Sequence, residues 1–182
     1  MAHINVPEGV PGIRSLVMFR PETGKPLYEL AEALLRNPSG SLTTPEKELI
    51  AAYTSSKNDC MFCMSSHAAA ARYLYKENKQ VVDFVLEDFE AAPIPDKLKV
   101  LLRIAGKVQE DARTVTTELV EAAKQLGASD RDIHDTVLIA AAFCMYNRYV
   151  DGLASLTPTD PKEYEAMGER MGTLGYSLPK KD

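Results

Sequence analysis

From Leu27 to Met171 the apolar residues recur at helical spacing, and no segment shows a convincing strand alternation. A period near 3.6 buries one stripe of a helix, whereas a half-buried strand needs a period of two. Leu27, Leu30, Ala31, Leu34 and Leu35 share one face, and that helix stops near Asn37-Pro38. Thr44 reads as an N-cap with Pro45 at the first helical position of a helix running to about Ser56. Asn58 or Asp59 caps the next, which continues to about Lys76. Val81 to Leu86 is a short helix ending before Pro93. Another runs from Asp96 to about Glu110, and a further one from Thr116 to Leu126 closes on Gly127. Ser129 with Asp132 is a capping-box-like start for a long apolar helix ending near Tyr149. Glu163 to Met171 is a short terminal helix. The expected fold class is all-α.

The ends read differently. Residues 1–26 hold Pro7, Pro11, Pro21 and Pro26 with Gly9, Gly12 and Gly24, which predicts an extended N-terminal arm. Its apolar patch, Ile13 to Phe19, has to be covered by the body or by another subunit. Residues 27–175 form the helical domain, and the tail 176–182 is expected to be loose. With 182 residues, one domain is the default.

The net charge of −5 argues against nucleic acid and anionic membrane as partners. The start of the chain has no secretory pattern. The longest apolar stretch, Val137 to Tyr146, is about half of the ~20 residues a membrane span needs. These features predict a soluble, cytoplasmic protein. In a reducing compartment a C-x-x-C is catalytic, redox-sensing or metal-binding rather than a permanent staple.

Cys60, Cys63 and His67 fall on one stripe of a helix. Two thiols and an imidazole supply a nucleophile, a resolving group and a base. Cys60 lies at or near the helix start, where unpaired N–H groups favour a thiolate. His67 is one turn beyond Cys63 and is the nearer base for it. The first argument favours Cys60 as the attacking sulfur and the second favours Cys63. Glu48 sits on the preceding helix beside Ala51, Ala52 and Ser55, opposite Ala68 to Ala71. Two such small faces can approach closely, bringing the carboxylate towards Cys60 and His67 as the acid of a Glu–His–Cys relay.

The pattern E-x11-C-x2-C-x3-H resembles the signature of the alkylhydroperoxidase D (AhpD) and carboxymuconolactone decarboxylase superfamily, in particular its peroxidase-related branch. The resemblance rests on Glu48-Leu49-Ile50-Ala51, Ser55, Asn58, Cys60, Phe62, Cys63 and His67. The flanks Pro11-Gly12-Ile13, Arg20-Pro21, Asn147-Arg148 and Asp151-Gly152-Leu153 fit as well. It implies an AhpD-like helical bundle that forms trimers or hexamers. It also implies reduction of hydroperoxides through the two cysteines, with Glu48, Cys60, Cys63 and His67 in the relay and redox roles. The expected partners are a hydroperoxide and a thioredoxin- or lipoyl-type dithiol, with no metal, haem or flavin. Phe62 stands where AhpD proper has a second histidine. Relatives without the cysteine pair decarboxylate or isomerise lactones, and both cysteines here argue against that branch.

Two other readings compete: a thiol–disulfide adaptor feeding a separate peroxidase, and an assembly module with little activity. Zinc on Cys60, Cys63, His67 and Glu48 is disfavoured, because ligands at i, i+3 and i+7 spread over about 10 Å of helix axis. Cys144 reads as a core residue, His134 as a surface or interface residue, and Arg148 with Asp151 as an ion pair or subunit contact. Met61 and Met64 are candidates for an apolar mouth. Tyr53, Tyr73, Tyr75 and Tyr146 read as packing residues, one of which could line a pocket.

Overall fold

The computed structural model describes residues 2–38 and 40–176. Every regular element among them is helical: α1 Ile13–Phe19, α2 Pro21–Leu35, α3 Thr44–Lys57, α4 Met61–Tyr75, α5 Val81–Asp88, α6 Asp96–Asp111, α7 Thr117–Gln125, α8 Asp130–Gly152 and α9 Pro161–Leu174. Short 3-10 turns follow α4 and α6. The all-α expectation holds. No described helix is long and apolar enough to cross a membrane.

The caps explain the boundaries. Thr43, not Thr44, is the N-cap of α3, and its partner in the capping box is Glu46. Thr44 and Pro45 therefore occupy the first two helical positions. Ser129 and Asp132 do form a capping box at the start of α8. Asp132 goes further and accepts hydrogen bonds from Ser41 N (2.8 Å), Ser41 Oγ (2.7 Å) and Leu42 N (3.2 Å). One carboxylate thus ties the α2–α3 loop to α8.

The N-terminal segment departs from the extended arm predicted for residues 1–26. Ile13–Phe19 is helical, and α2 begins at Pro21 and continues through Pro26. Pro21 takes the first helical position, where its missing N–H breaks no bond. Pro26 forgoes one bond, but α2 still buries Ala31, Leu34 and Leu35. In α1 the body covers Leu16 and Val17 and leaves Met18 and Phe19 exposed.

The core lies between α3, α4, α6 and α8. Helix α3 is buried almost all round, with Leu49, Ile50, Ala51 and Ala52 fully inside. Ala68, Ala70 and Ala71 let α4 approach it closely. On its other side α4 meets α9. Gly168 makes that crossing possible, because a Cβ there would stand 2.5 Å from the Ala69 carbonyl carbon.

Candidate active site

Helices α3 and α4 are joined by a tight turn. Asn58 N donates to Thr54 O, Asp59 N to Ser56 O and Cys60 N to Ser55 O. Asp59 takes φ +56°, a left-handed conformation that aspartate tolerates better than most residues. Helix α8 clamps the turn from behind: Asn58 Nδ2 donates to Asn147 Oδ1 at 2.8 Å, and Asn147 Nδ2 to Ser55 Oγ at 3.0 Å. Ser55, Asn58 and Asn147 therefore set where α4 begins, and with it the dithiol.

Cys60, not Asn58 or Asp59 as the sequence suggests, is the N-cap of α4, and no side chain caps the helix. Both cysteines sit in a small apolar cluster with Phe62, Ala69, Val150 and Tyr164. Cys60 is fully buried and Cys63 is 4% exposed. The dipole argument fails for Cys60. The adjacent Cys63 sulfur, to which Cys60 donates its proton, pushes the Cys60 thiol up, and burial and Asp151 push it further. The Cys63 N–H works the other way and is outweighed. Asp151 thus faces Cys60, while Arg148 Nη1 donates to Cys144 O at 2.8 Å. The predicted Arg148–Asp151 ion pair does not form.

Glu48 and His67 meet as the small faces predicted. His67 Nδ1 donates to Glu48 Oε2 at 2.6 Å. Two further residues complete the environment of the carboxylate, and sequence reasoning singled out neither. Arg36, just past the end of α2, places Nη1 2.7 Å from Glu48 Oε1. Tyr176 donates its hydroxyl to the same oxygen at 2.6 Å and lies 3.2 Å from His67 Nδ1. Its ring stacks near the imidazole at 5.9 Å, and the Arg36 guanidinium lies over the same ring at 4.9 Å. Burial alone would push the Glu48 carboxyl up, but His67, Arg36 and Tyr176 together hold it below its ordinary value. Tyr176 is held well above its own, by burial and by the Glu48 charge.

Tyr176 corrects the expectation of a loose tail from 176; residues 177–182 lie outside the described residues. Gly175 ends α9 with φ +65°, turning the chain back. Glu32 Oε2 then accepts from Tyr176 N at 2.6 Å. A Cβ on Gly175 would stand 2.5 Å from that oxygen.

Beside this network lies a cavity of about 80 Å³. Cys63, Ser66 and His67 border it from α4, and its walls are Ile13, Leu27, Phe62, Phe143, Met167 and Met171. Phe143 meets the His67 ring edge-on at 4.5 Å. The apolar mouth predicted for Met61 and Met64 does not form at this cavity: both border a separate surface groove, while Met167 and Met171 from α9 line the cavity walls. Of the four tyrosines weighed as packing residues, Tyr146 borders the cavity, its hydroxyl donating to Leu27 O. Cys144 is partly exposed and meets Asn58 Nδ2 at 3.5 Å, away from the dithiol network. His134 is exposed and pairs with Asp135. Among the described residues no group of three His, Cys, Asp or Glu side chains is placed to hold a metal ion.

Residues 21–86 match the carboxymuconolactone decarboxylase family. Two solved structures share the fold at useful identity. A peroxidase-related protein from Ralstonia eutropha JMP134, described as an alkylhydroperoxidase AhpD core, is 29% identical over 88% of this chain and 82% of its own, with a TM-score of 0.77. A peroxidase-related protein from Silicibacter sp. TM1040 is 26% identical over 87% and 81%, with a TM-score of 0.76.

The fold is AhpD-like, and residues 21–86 carry the carboxymuconolactone decarboxylase family match.

An Agrobacterium tumefaciens protein, described as a putative antioxidant defence protein AhpD, shares the AhpD-like fold at 20% identity and a TM-score of 0.70, over 88% of this chain and 100% of its own. None of the curated proteins compared with the chain matches it. The carboxymuconolactone decarboxylase family match runs from the start of α2 into α5. It therefore contains Arg36, Glu48, both dithiol cysteines and His67, whereas Tyr176 lies outside it.

Proposed function

We propose that this AhpD-like protein is a thiol-dependent hydroperoxide reductase. One observation carries the reading: Cys63 and His67 border the same small apolar cavity, and Glu48 occupies His67 Nδ1. Nε2 is then the ring nitrogen free to act as base. It lies on the residue one helical turn from Cys63, a spacing of about 5–6 Å between Cβ atoms. The cavity of about 80 Å³, walled largely by apolar side chains, suits a small organic peroxide. That favours direct peroxide reduction over the adaptor reading.

In the proposed cycle His67 Nε2 takes the Cys63 proton, and the imidazolium is stabilised by the Glu48 charge. The Cys63 thiolate attacks the outer peroxide oxygen, so that an S–O bond forms and the O–O bond breaks. The leaving alkoxide takes the proton from His67 and departs as alcohol. Cys63 is now a sulfenic acid. The Cys60 thiol attacks its sulfur, an S–S bond forms, and hydroxide leaves with the Cys60 proton as water. A small external dithiol, thioredoxin- or lipoyl-type in chemistry, reduces the Cys60–Cys63 disulfide by two exchanges. Cys60, fully buried and outside the cavity lining, suits the resolving role rather than the attacking one. The cytoplasm, where such dithiols are kept reduced, is the proposed compartment.

Mixing reduced protein with cumene hydroperoxide in a stopped-flow instrument tests the reading. Fast thiol loss with a Cys60–Cys63 disulfide in the mass spectrum is expected. Slow loss, together with rapid exchange against a lipoyl disulfide, would overturn it. We also propose that copies of the chain associate, since Met18, Phe19, Leu138 and Met145 are exposed. Light scattering at the monomer mass would refute that part.

A further inference from the structure

We propose that the substrate is a hydroperoxide carrying a carboxylate, bound at the mouth of the cavity by Arg14, Arg170 and the Tyr28 hydroxyl. This deepens the peroxidase reading by naming the class of substrate. The cavity has a reacting end and an outer end. Cys63 and His67, at the first, are 4% and 9% exposed. At the second, Tyr28 and Arg170 are half-buried and Arg14 is exposed. These three side chains come from α2, α9 and α1, so only the tertiary fold gathers them.

Their donors are unspent. Arg36, Arg72, Arg103 and Arg113 each pair with a carboxylate. Among the described residues Arg14 and Arg170 pair with none, and the Tyr28 hydroxyl has no hydrogen-bond partner. No Asp or Glu borders the cavity, and Glu48 is sealed behind His67 and Tyr176. Both guanidiniums act on the Tyr28 phenol, each drawing its pKa down against the larger upward effect of burial. The two charges therefore act on one spot. Two guanidiniums and a phenol offer a fork geometry that a carboxylate fills. The apolar walls between them and Cys63 suit a short hydrocarbon spacer. A neutral peroxide would leave the charged end unused.

A pair of alkylating reagents reads the site without any peroxide. Iodoacetate and iodoacetamide have nearly the same shape and differ in charge, and ordinary thiolates react faster with the neutral one. We expect Cys63, identified by peptide mass, to prefer iodoacetate by about tenfold or more, as a nearby pair of opposite charges would give. In R14Q/R170Q the ratio should fall to that of a free thiol. If the double variant does not fold, Arg14→Gln alone, at an exposed position, should lower the ratio in the same direction. A wild-type preference for iodoacetamide, or a preference for iodoacetate that survives the double substitution, overturns the proposal. Failure of Cys63 to react with either reagent also overturns it, because the cavity is then closed to both.

Substrates complete the test. 4-Hydroperoxy-4-methylpentanoate should oxidise Cys63 faster than its methyl ester. Equal rates, with hydrogen peroxide and the ester both active, would sink the carboxylate site and leave the peroxidase reading standing. An iodoacetate preference in a protein inert to all three peroxides would sink the peroxidase reading and leave an anion site.

Discussion

His67 Nδ1 donates to Glu48 Oε2 across 2.6 Å, joining α4 to α3 between residues 19 apart in the chain. The bond fixes which nitrogen of the imidazole is left for chemistry. His67→Ala should therefore lower the rate of peroxide-driven thiol loss by about 100-fold at neutral pH, the usual scale for losing a general base. The rate should recover partly at high pH, where hydroxide from solvent replaces the missing base. A variant matching wild type across the whole pH range would remove His67 from the relay.

The two sulfurs should behave unequally. Cys60→Ser is expected to keep the first oxidation, leaving a sulfenic acid on Cys63 that dimedone traps in a single turnover. Cys63→Ser should abolish fast peroxide consumption, because Cys60 is fully buried and does not border the cavity. Trapped sulfenic acid on Cys60 in the second variant would reverse the assignment.

Tyr176→Phe removes one of the two donors at Glu48 Oε1 and leaves Arg36 at the other, 2.7 Å away. Losing a hydrogen bond to a buried charge costs about 1.5–3 kcal/mol. Urea unfolding should show a loss of that size. The pH–rate profile should also move, since the Glu48 carboxylate that stabilises the imidazolium is less firmly held. A drop in stability with an unmoved profile would make Tyr176 a packing residue only.

Acid should weaken the fold through Asp132 as well as Glu48. Asp132 accepts from Ser41, Leu42 and Ser129, and its carboxyl is held below the ordinary range, these bonds outweighing the upward effect of burial. A depressed folded-state pKa contributes stability that is present above the unfolded value, about 4, and lost as pH falls towards the folded one. The denaturation midpoint should fall steeply below about pH 4. Asp132→Ala should cost about 3 kcal/mol at pH 7 and flatten that acid slope. An unchanged slope would show that other carboxyls govern acid unfolding.

Much of the fold was readable because capping and period are local. Ser129 and Asp132 lie three apart, and the turn of a helix brings them together whatever surrounds it. The Thr44 cap was misplaced by one residue for the same local reason: Thr43 and Thr44 are equivalent until Glu46 reaches back. The N-terminal segment was misread because proline and glycine report a tendency of the isolated chain. Packing of Leu16, Val17, Leu34 and Leu35 outweighed that tendency. The apolar mouth was assigned to Met61 and Met64 by their nearness to the cysteines in sequence. Successive helix positions point in different directions, so a neighbour in sequence need not share the cysteine's face.

The sequence by itself determined the helical period and the stripe carrying Cys63 and His67, since each depends on neighbours within a few residues. Only the tertiary structure decided what surrounds Glu48: Tyr176 arrives from 128 positions away and Arg36 from the end of another helix. A buried carboxylate has to be met by donors. That need can be foreseen from the chain, but which side chains meet it depends on how the helices stack, and no local spacing records that.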